Sequence, residues 1–131
     1  MLASMSSYIS NICVDCTDPW KLAQWWSDVL DLPLDPEDEP GAEEIGLSLE
    51  ATGGGYIFLR VPEGKIVKNR MHVCLRPSDR SRDEEIDRLL GLGAGLANDL
   101  RNPDGTGWAV LTDPEGNEFC VLRSEKELSG N

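Results

Sequence analysis

The chain repeats itself. Asn11-Ile-Cys-Val and His72-Val-Cys-Leu lie 61 residues apart, so that Cys13 falls on Cys74. Further along, Gly55-Tyr-Ile-Phe-Leu falls on Gly116-Asn-Glu-Phe-Cys at the same offset, matching Phe58 with Phe119 and Leu59 with Cys120. Between these ends, "LDL" (30–32) and "LGL" (90–92) match one residue short of it. One short match means little. A common offset at both ends of a segment means that one supersecondary unit is used twice. In 131 residues this leaves room for a single domain of two modules, about 8–66 and 67–124.

Local patterns describe the unit. Residues 8–16 alternate as a strand. Asp18-Pro19 then starts a helix, with Asp capping free N–H groups and Pro in the first helical position. Leu22, Trp25, Trp26, Val29 and Leu30 follow at helical spacing, and Pro33 is expected to end the run. An acidic, Pro-containing loop spans 35–44. Strands are expected at 45–50 and 56–61, separated by the glycine turn "TGGG". The second unit restarts with "RMHVCLRP" as a strand and "SDRSRDEEIDRLLGLGA" as a helix with Ile86, Leu89 and Leu90 on its apolar face. Strands near 96–101, "WAVLTD" and "EFCVLRS" complete it, joined by the turns "NPDGTG" and "PEGN". The polar tail after Ser124 is expected to fray.

Composition narrows the function classes. A formal net charge of −12 repels phosphate backbones and anionic lipid, which argues against nucleic-acid and membrane partners. No apolar run reaches membrane-spanning length and the start lacks the layout of a signal peptide, so a cytoplasmic location is expected. Four cysteines are present, and Cys13 and Cys16 form a CxxC. Three residues apart on a strand they point to opposite faces, and no second CxxC follows. Buried reduced thiols are expected rather than a zinc ribbon.

Two segments carry a resemblance to a known family. "TDPWKLAQWWSDVLDL" is similar to the first-helix signature of the vicinal oxygen chelate superfamily, and "GWAVLTDPEGNEFCVL" to its closing D-P-(D/E)-G-N signature. "VPEGKIVKNRMHVCL" resembles the link of the glyoxalase-like branch (glyoxalase, bleomycin resistance and extradiol dioxygenase proteins). The resemblance spans roughly residues 8–123. It implies an α+β fold of two tandem βαβββ modules whose mixed sheets curl around a shared cup, and a homodimer. In the enzymes the cup holds a divalent metal.

The resemblance also implies four ligand positions, which fall on Asn11, Leu59, His72 and Cys120; the repeat pairs the same four residues. Leu59 has no donor atom, and Asn11 offers only a neutral amide oxygen. That leaves His72 and Cys120 as metal candidates, one short of the three protein ligands of a catalytic zinc site. A degenerate site with no cofactor is therefore expected, or Zn²⁺ if a divalent metal is held at all. His72 is the chain's single histidine and the leading catalytic candidate. It would serve as a metal ligand, as an acid–base group, or as the partner of a Cys120 nucleophile. The expected ligand-binding cup comprises Asn11, Cys13, Leu59, His72, Cys74, Trp108, Glu118 and Cys120. Trp25 and Trp26 are expected in the core, and Arg60, Arg76 and Arg101 on the solvated surface unless they bind an anionic group.

Three functions fit. The first is a bleomycin-resistance-like protein that binds a small organic molecule. The alternative is a metal-dependent lyase, isomerase, epimerase or dioxygenase acting on vicinal oxygens. The third is an interaction module with no ligand.

Overall fold

A computed structural model describes residues 6, 8–49 and 54–130. The chain forms two compact units, Met1–Gly64 and Lys65–Asn131. The first contains β1 (Ile12–Cys16), α1 (Pro19–Leu30), β2 (Glu44–Leu49) and β3 (Gly54–Arg60). The second contains β4 (Cys74–Leu75), α2 (Arg82–Gly91), β5 (Gly95–Arg101), β6 (Gly107–Thr112), β7 (Glu118–Val121) and α3 (Glu125–Leu128). The sheets run β1-β3-β2 and β4-β7-β6-β5. In each, the first strand pairs parallel with the last, and the other pairings are antiparallel. The fold is α+β, with one mixed sheet per unit. Among the described residues no helix is long and apolar enough to cross a membrane.

The second unit has the full β-α-β-β-β order, while the described residues of the first form two strands after its helix. The acidic loop occupies the place of the missing strand. Pro36 and Pro40 fall there, and each removes an N–H that a ladder would need. The "TGGG" turn lies largely outside the described residues, as does Glu50 at the end of the preceding strand.

In the first unit α1 packs on β2 and β3. Asp18 caps it, its carboxylate accepting from the Lys21 N–H, and Pro19 sits in the first turn. Trp25 and Trp26 are both buried, with ring centroids 5.2 Å apart edge to face. Trp26 stacks edge-on against Tyr56 of β3 at 5.9 Å, and Tyr56 meets Phe58 at 5.9 Å. Such pairs add about 0.5–1.5 kcal/mol to the area they bury. The helix stops at Leu30, before Pro33. Asp31 takes a left-handed conformation (φ 54°) and the Leu32 N–H turns back to the Ser27 carbonyl.

In the second unit Ile86 and Leu89 of α2 are buried, as are Ala109, Leu111, Phe119 and Val121 on one face of the sheet. Ser81 and Glu84 close a capping box at the start of α2. The tail after Ser124, expected to fray, forms α3 as far as Leu128. Ser124 and Glu127 form a second capping box, and the Glu127 carboxylate also accepts the Arg82 N–H at 2.7 Å. "RMHVCLRP" forms far less strand than its pattern predicts: only Cys74 and Leu75 are in the ladder. Upstream, the Glu118 carboxylate takes the Asn69 N–H at 2.8 Å, so the chain reaches β7 through a side chain instead of main-chain pairing.

Arg82, unremarked in the sequence, is only 4% exposed. Its Nη1 lies 3.0–3.1 Å from the carbonyl oxygens of Gly105, Thr106 and Gly107, and its Nε bonds Asp83 at 3.0 Å. One guanidinium thus ties α2 to the turn that launches β6. Glu85 is also buried. Burial pushes its carboxyl pKa up, but the guanidinium groups of Arg88 and Arg80 outweigh that and hold it lowered. Replacing Arg82 with Met strands the three carbonyls, and is expected to cost about 2–4 kcal/mol of stability. Urea unfolding of Arg82→Met checks this; a midpoint like that of the parent would contradict it.

Candidate functional site

Residues paired directly across a sheet project to the same face. Cys74 pairs with Cys120, Cys120 with Val110, and Thr112 with Glu118. Trp108 pairs with Leu100 on the next strand. Cys74, Cys120, Glu118, Val110, Thr112, Trp108 and Leu100 therefore share the face opposite the one that α2 covers. Of the cup residues expected in the second unit, all but His72 are on β4, β6 or β7; His72 lies two residues before Cys74. Trp108 is 43% exposed and Leu100 is exposed beside it.

On this face one donor atom each of His72, Cys74 and Cys120 converge within 4.8 Å of one another. Cys120 is buried while His72 and Cys74 are exposed, so the group opens outward from the sheet. The free cysteines are not uniformly buried as expected: Cys16 and Cys120 are buried, Cys13 and Cys74 exposed. Burial raises the Cys120 thiol pKa first, and the adjacent Cys74 raises it further, against a weak opposing pull from Lys68. A thiol in that state is a poor nucleophile at neutral pH unless a cation takes the place of its proton.

Two competent ligands were legible in the sequence; the structure adds Cys74 as a third. Its sequence signal was its place two residues after His72, on the same side of an extended strand. What the sequence lacked was the pairing register. The repeat offset carries the first unit's Cys13–Ile57 pair onto Cys74 and Glu118, yet Cys74 pairs with Cys120. Main-chain bonds show the same slip: Val61 N–H donates to the Cys16 carbonyl, whereas Leu122 N–H donates to Leu75 rather than to the Pro77 carbonyl the offset implies. A shift of two residues preserves every side chain's face and exchanges its neighbour.

The donor set suits a borderline-soft ion. Zinc takes imidazole nitrogen and thiolate sulfur, and catalytic sites use three protein ligands with one position open. Mg²⁺ and Mn²⁺ prefer several oxygens and do not fit these residues.

The other expected site residues have local partners. Asn11 Nδ2 lies 3.2 Å from Cys13 Sγ. Leu59 contributes its carbonyl to the Cys16 thiol at 3.5 Å. The Glu118 carboxylate binds Lys65 Nζ at 3.0 Å as well as the Asn69 N–H. Burial pushes its pKa up, but the Asn69 N–H and Lys65 together hold it lowered, so it stays ionised as a clamp on the segment leading to His72. Arg60 binds the Thr17 carbonyl at 2.7 Å and Glu43 at 3.4 Å. Arg76 pairs with Glu125, and Arg101 with Asp99 and Asp83. Asp113 organises the D-P-E-G-N turn by accepting from the Glu115 and Asn117 N–H groups, at 2.9 and 3.0 Å.

A protein-family profile described as "Glyoxalase-like domain" matches residues 11–122. No curated protein sequence matches. Solved structures are similar in fold at low identity. The fosfomycin resistance protein FosX from Mesorhizobium loti superposes with a TM-score of 0.66 at 13% identity, covering 97% of this chain and 100% of that one. A glyoxalase/bleomycin resistance protein/dioxygenase family enzyme from Burkholderia phytofirmans PsJN gives 0.64 at 15% identity, over 88% and 97%. Oxidase ChaP-H2 gives 0.61 at 16%, over 92% and 95%.

Replacing Glu118 with Gln weakens both clamp contacts by about 1 kcal/mol, enough for roughly fivefold more opening of residues 65–70. Limited trypsin digestion under native conditions is expected to cut faster after Lys65, Lys68 and Arg70 in this variant. Equal rates would refute the clamp.

Proposed function

Since the chain belongs to the glyoxalase-like domain family, we propose that it binds a small organic molecule on the open sheet face of its second unit, anchored by a zinc-class ion on His72, Cys74 and Cys120. The observation carrying this reading is the convergence of three soft donors within 4.8 Å. The ligand class follows from the face. Trp108 and Leu100 offer an apolar wall for a flat or aliphatic body. An ion held by three protein donors would have room for an oxygen of the ligand, which suits a molecule with adjacent oxygens.

When bound, such an ion supplies Lewis-acid polarisation of an oxygen. The chain's own residues do the remainder. A ring nitrogen of His72 and the sulfurs of Cys74 and Cys120 would hold the ion. Buried Cys120 closes the inner side of the site to water. Glu118 holds the approach to His72, and Trp108 orients the ligand's apolar part. FosX is described as a fosfomycin resistance protein and ChaP-H2 as an oxidase. The reaction class proposed here is that of a lyase, isomerase or dioxygenase acting on a substrate with adjacent oxygens.

A second reading is metal-free sequestration of an apolar ligand, favoured by the exposed Trp108 and by Leu59 and Asn11 having no competent donors. Metal analysis separates the two. Reduced protein reconstituted with zinc is expected to hold about one ion per chain, and His72→Ala, Cys74→Ser and Cys120→Ser each to lose it. Because bound thiols must be deprotonated and Cys120's pKa is raised, affinity is expected to rise with pH between about 6 and about 8. A chain that takes up no zinc, or whose uptake ignores these three substitutions, leaves only the metal-free reading.

A further inference from the structure

Cys74 and Cys120 satisfy the requirements of a disulfide as well as those of a ligand pair. They are direct partners in a parallel ladder, where neighbouring strands lie about 4.8 Å apart. A disulfide needs Cα atoms about 4.4–6.8 Å apart. Their sulfurs already lie within 4.8 Å of each other. β4 is two residues long and at the edge of its sheet, so it can close the remaining gap without disturbing the core. The exposure is graded as a two-step oxidation requires, with Cys74 exposed and Cys120 5% exposed behind it. The chain's other two cysteines lack this arrangement: Cys13 and Cys16 are three apart on β1, one exposed and one buried, on opposite faces.

We propose that Cys74 and Cys120 form a reversible dithiol–disulfide pair, closed by a hydroperoxide, which switches off ion binding at this site. The cross-link stands on geometry alone; its effect on ion binding rests on the zinc reading above. In the first step the Cys74 thiolate attacks one oxygen of hydrogen peroxide. The O–O bond breaks, Cys74 becomes a sulfenic acid, and the departing hydroxide takes a proton to become water. In the second step the Cys120 sulfur, a weak nucleophile made effective by standing within 4.8 Å of its target, attacks the Cys74 sulfur. The S–O bond breaks, and the leaving hydroxide takes the Cys120 proton as a second water. The two sulfurs lose two electrons, which reduce the peroxide, and a dithiol reductant reverses the change. Closure removes two of the three donors, and His72 alone holds no ion.

The test uses the full chain, reduced and stripped with a chelator, then treated with hydrogen peroxide and alkylated. Free thiols are expected to fall from the four of the sequence to two. Peptide mapping should find Cys74 linked to Cys120, and dithiothreitol should restore all four. The Cys13→Ser/Cys16→Ser variant should behave the same way, and Cys74→Ser should form no internal disulfide. Zinc uptake, measured on the same samples, should be lost on closure and regained on reduction. Linkage elsewhere, or sulfinic acid on Cys74 with Cys120 still alkylatable, overturns the proposal. If the pair closes but the reduced chain takes no zinc, the cross-link stands and the zinc reading falls. If zinc binds and no cross-link forms, the reverse holds.

Discussion

The site depends on one main-chain interaction, the parallel pairing of β4 with β7. It comprises two register pairs, Cys74 with Cys120 and Leu75 with Val121. Parallel ladders are slightly less stable per residue than antiparallel ones, and one this short needs support. The support comes from side chains. Glu118 holds the incoming chain at Asn69 and Lys65. Downstream, Arg76 bonds the Arg123 carbonyl and pairs with Glu125, drawing the far end of β4 towards the chain after β7. The ladder is thus pinned on both sides of the residues that bear the chemistry.

Charged groups elsewhere in the second unit act in the same way. Arg82 collects three carbonyls of the turn before β6, and Glu127 takes the Arg82 N–H while capping α3. Asp113 shapes the turn before β7. These buried or half-buried groups position the strands on which Trp108, Glu118 and Cys120 stand. A chain of net charge −12 has many carboxylates in solvent, where most do little for stability. The few that are buried with partners organise the loops around the site.

Much of this was legible before any coordinates. The helix cap at Asp18, the packing of Trp25 and Trp26 and the D-P-E-G-N turn all follow from local chemistry. Such features depend on residues within a turn or two of each other. The C-terminal helix was missed although Ser124-Glu-Lys-Glu127 is itself a capping box, because its second support, the Arg82 N–H, is remote in sequence. Arg82 was missed for a related reason: nothing local distinguishes it from the solvated charges around it. The short reach of β4 was missed because "RMHVCLRP" has a strand's pattern, while at Asn69 the chain is held by the Glu118 side chain and not by main-chain pairing.

Read in order, the residues point to a unit used twice, to a strand, a helix and further strands in each copy, and to His72 and Cys120 standing where Asn11 and Leu59 stand in the first copy. Those conclusions rest on periodicity and on an internal offset, both properties of the chain read in order. That Cys74 joins His72 and Cys120 comes from the strand pairing. The parallel register is held by the contacts that pin the edge strand through Glu118 and Arg76. A slip of two residues leaves every face, and so every sequence pattern, unchanged. It changes only which side chain lies opposite, and here it places a thiol beside a thiol.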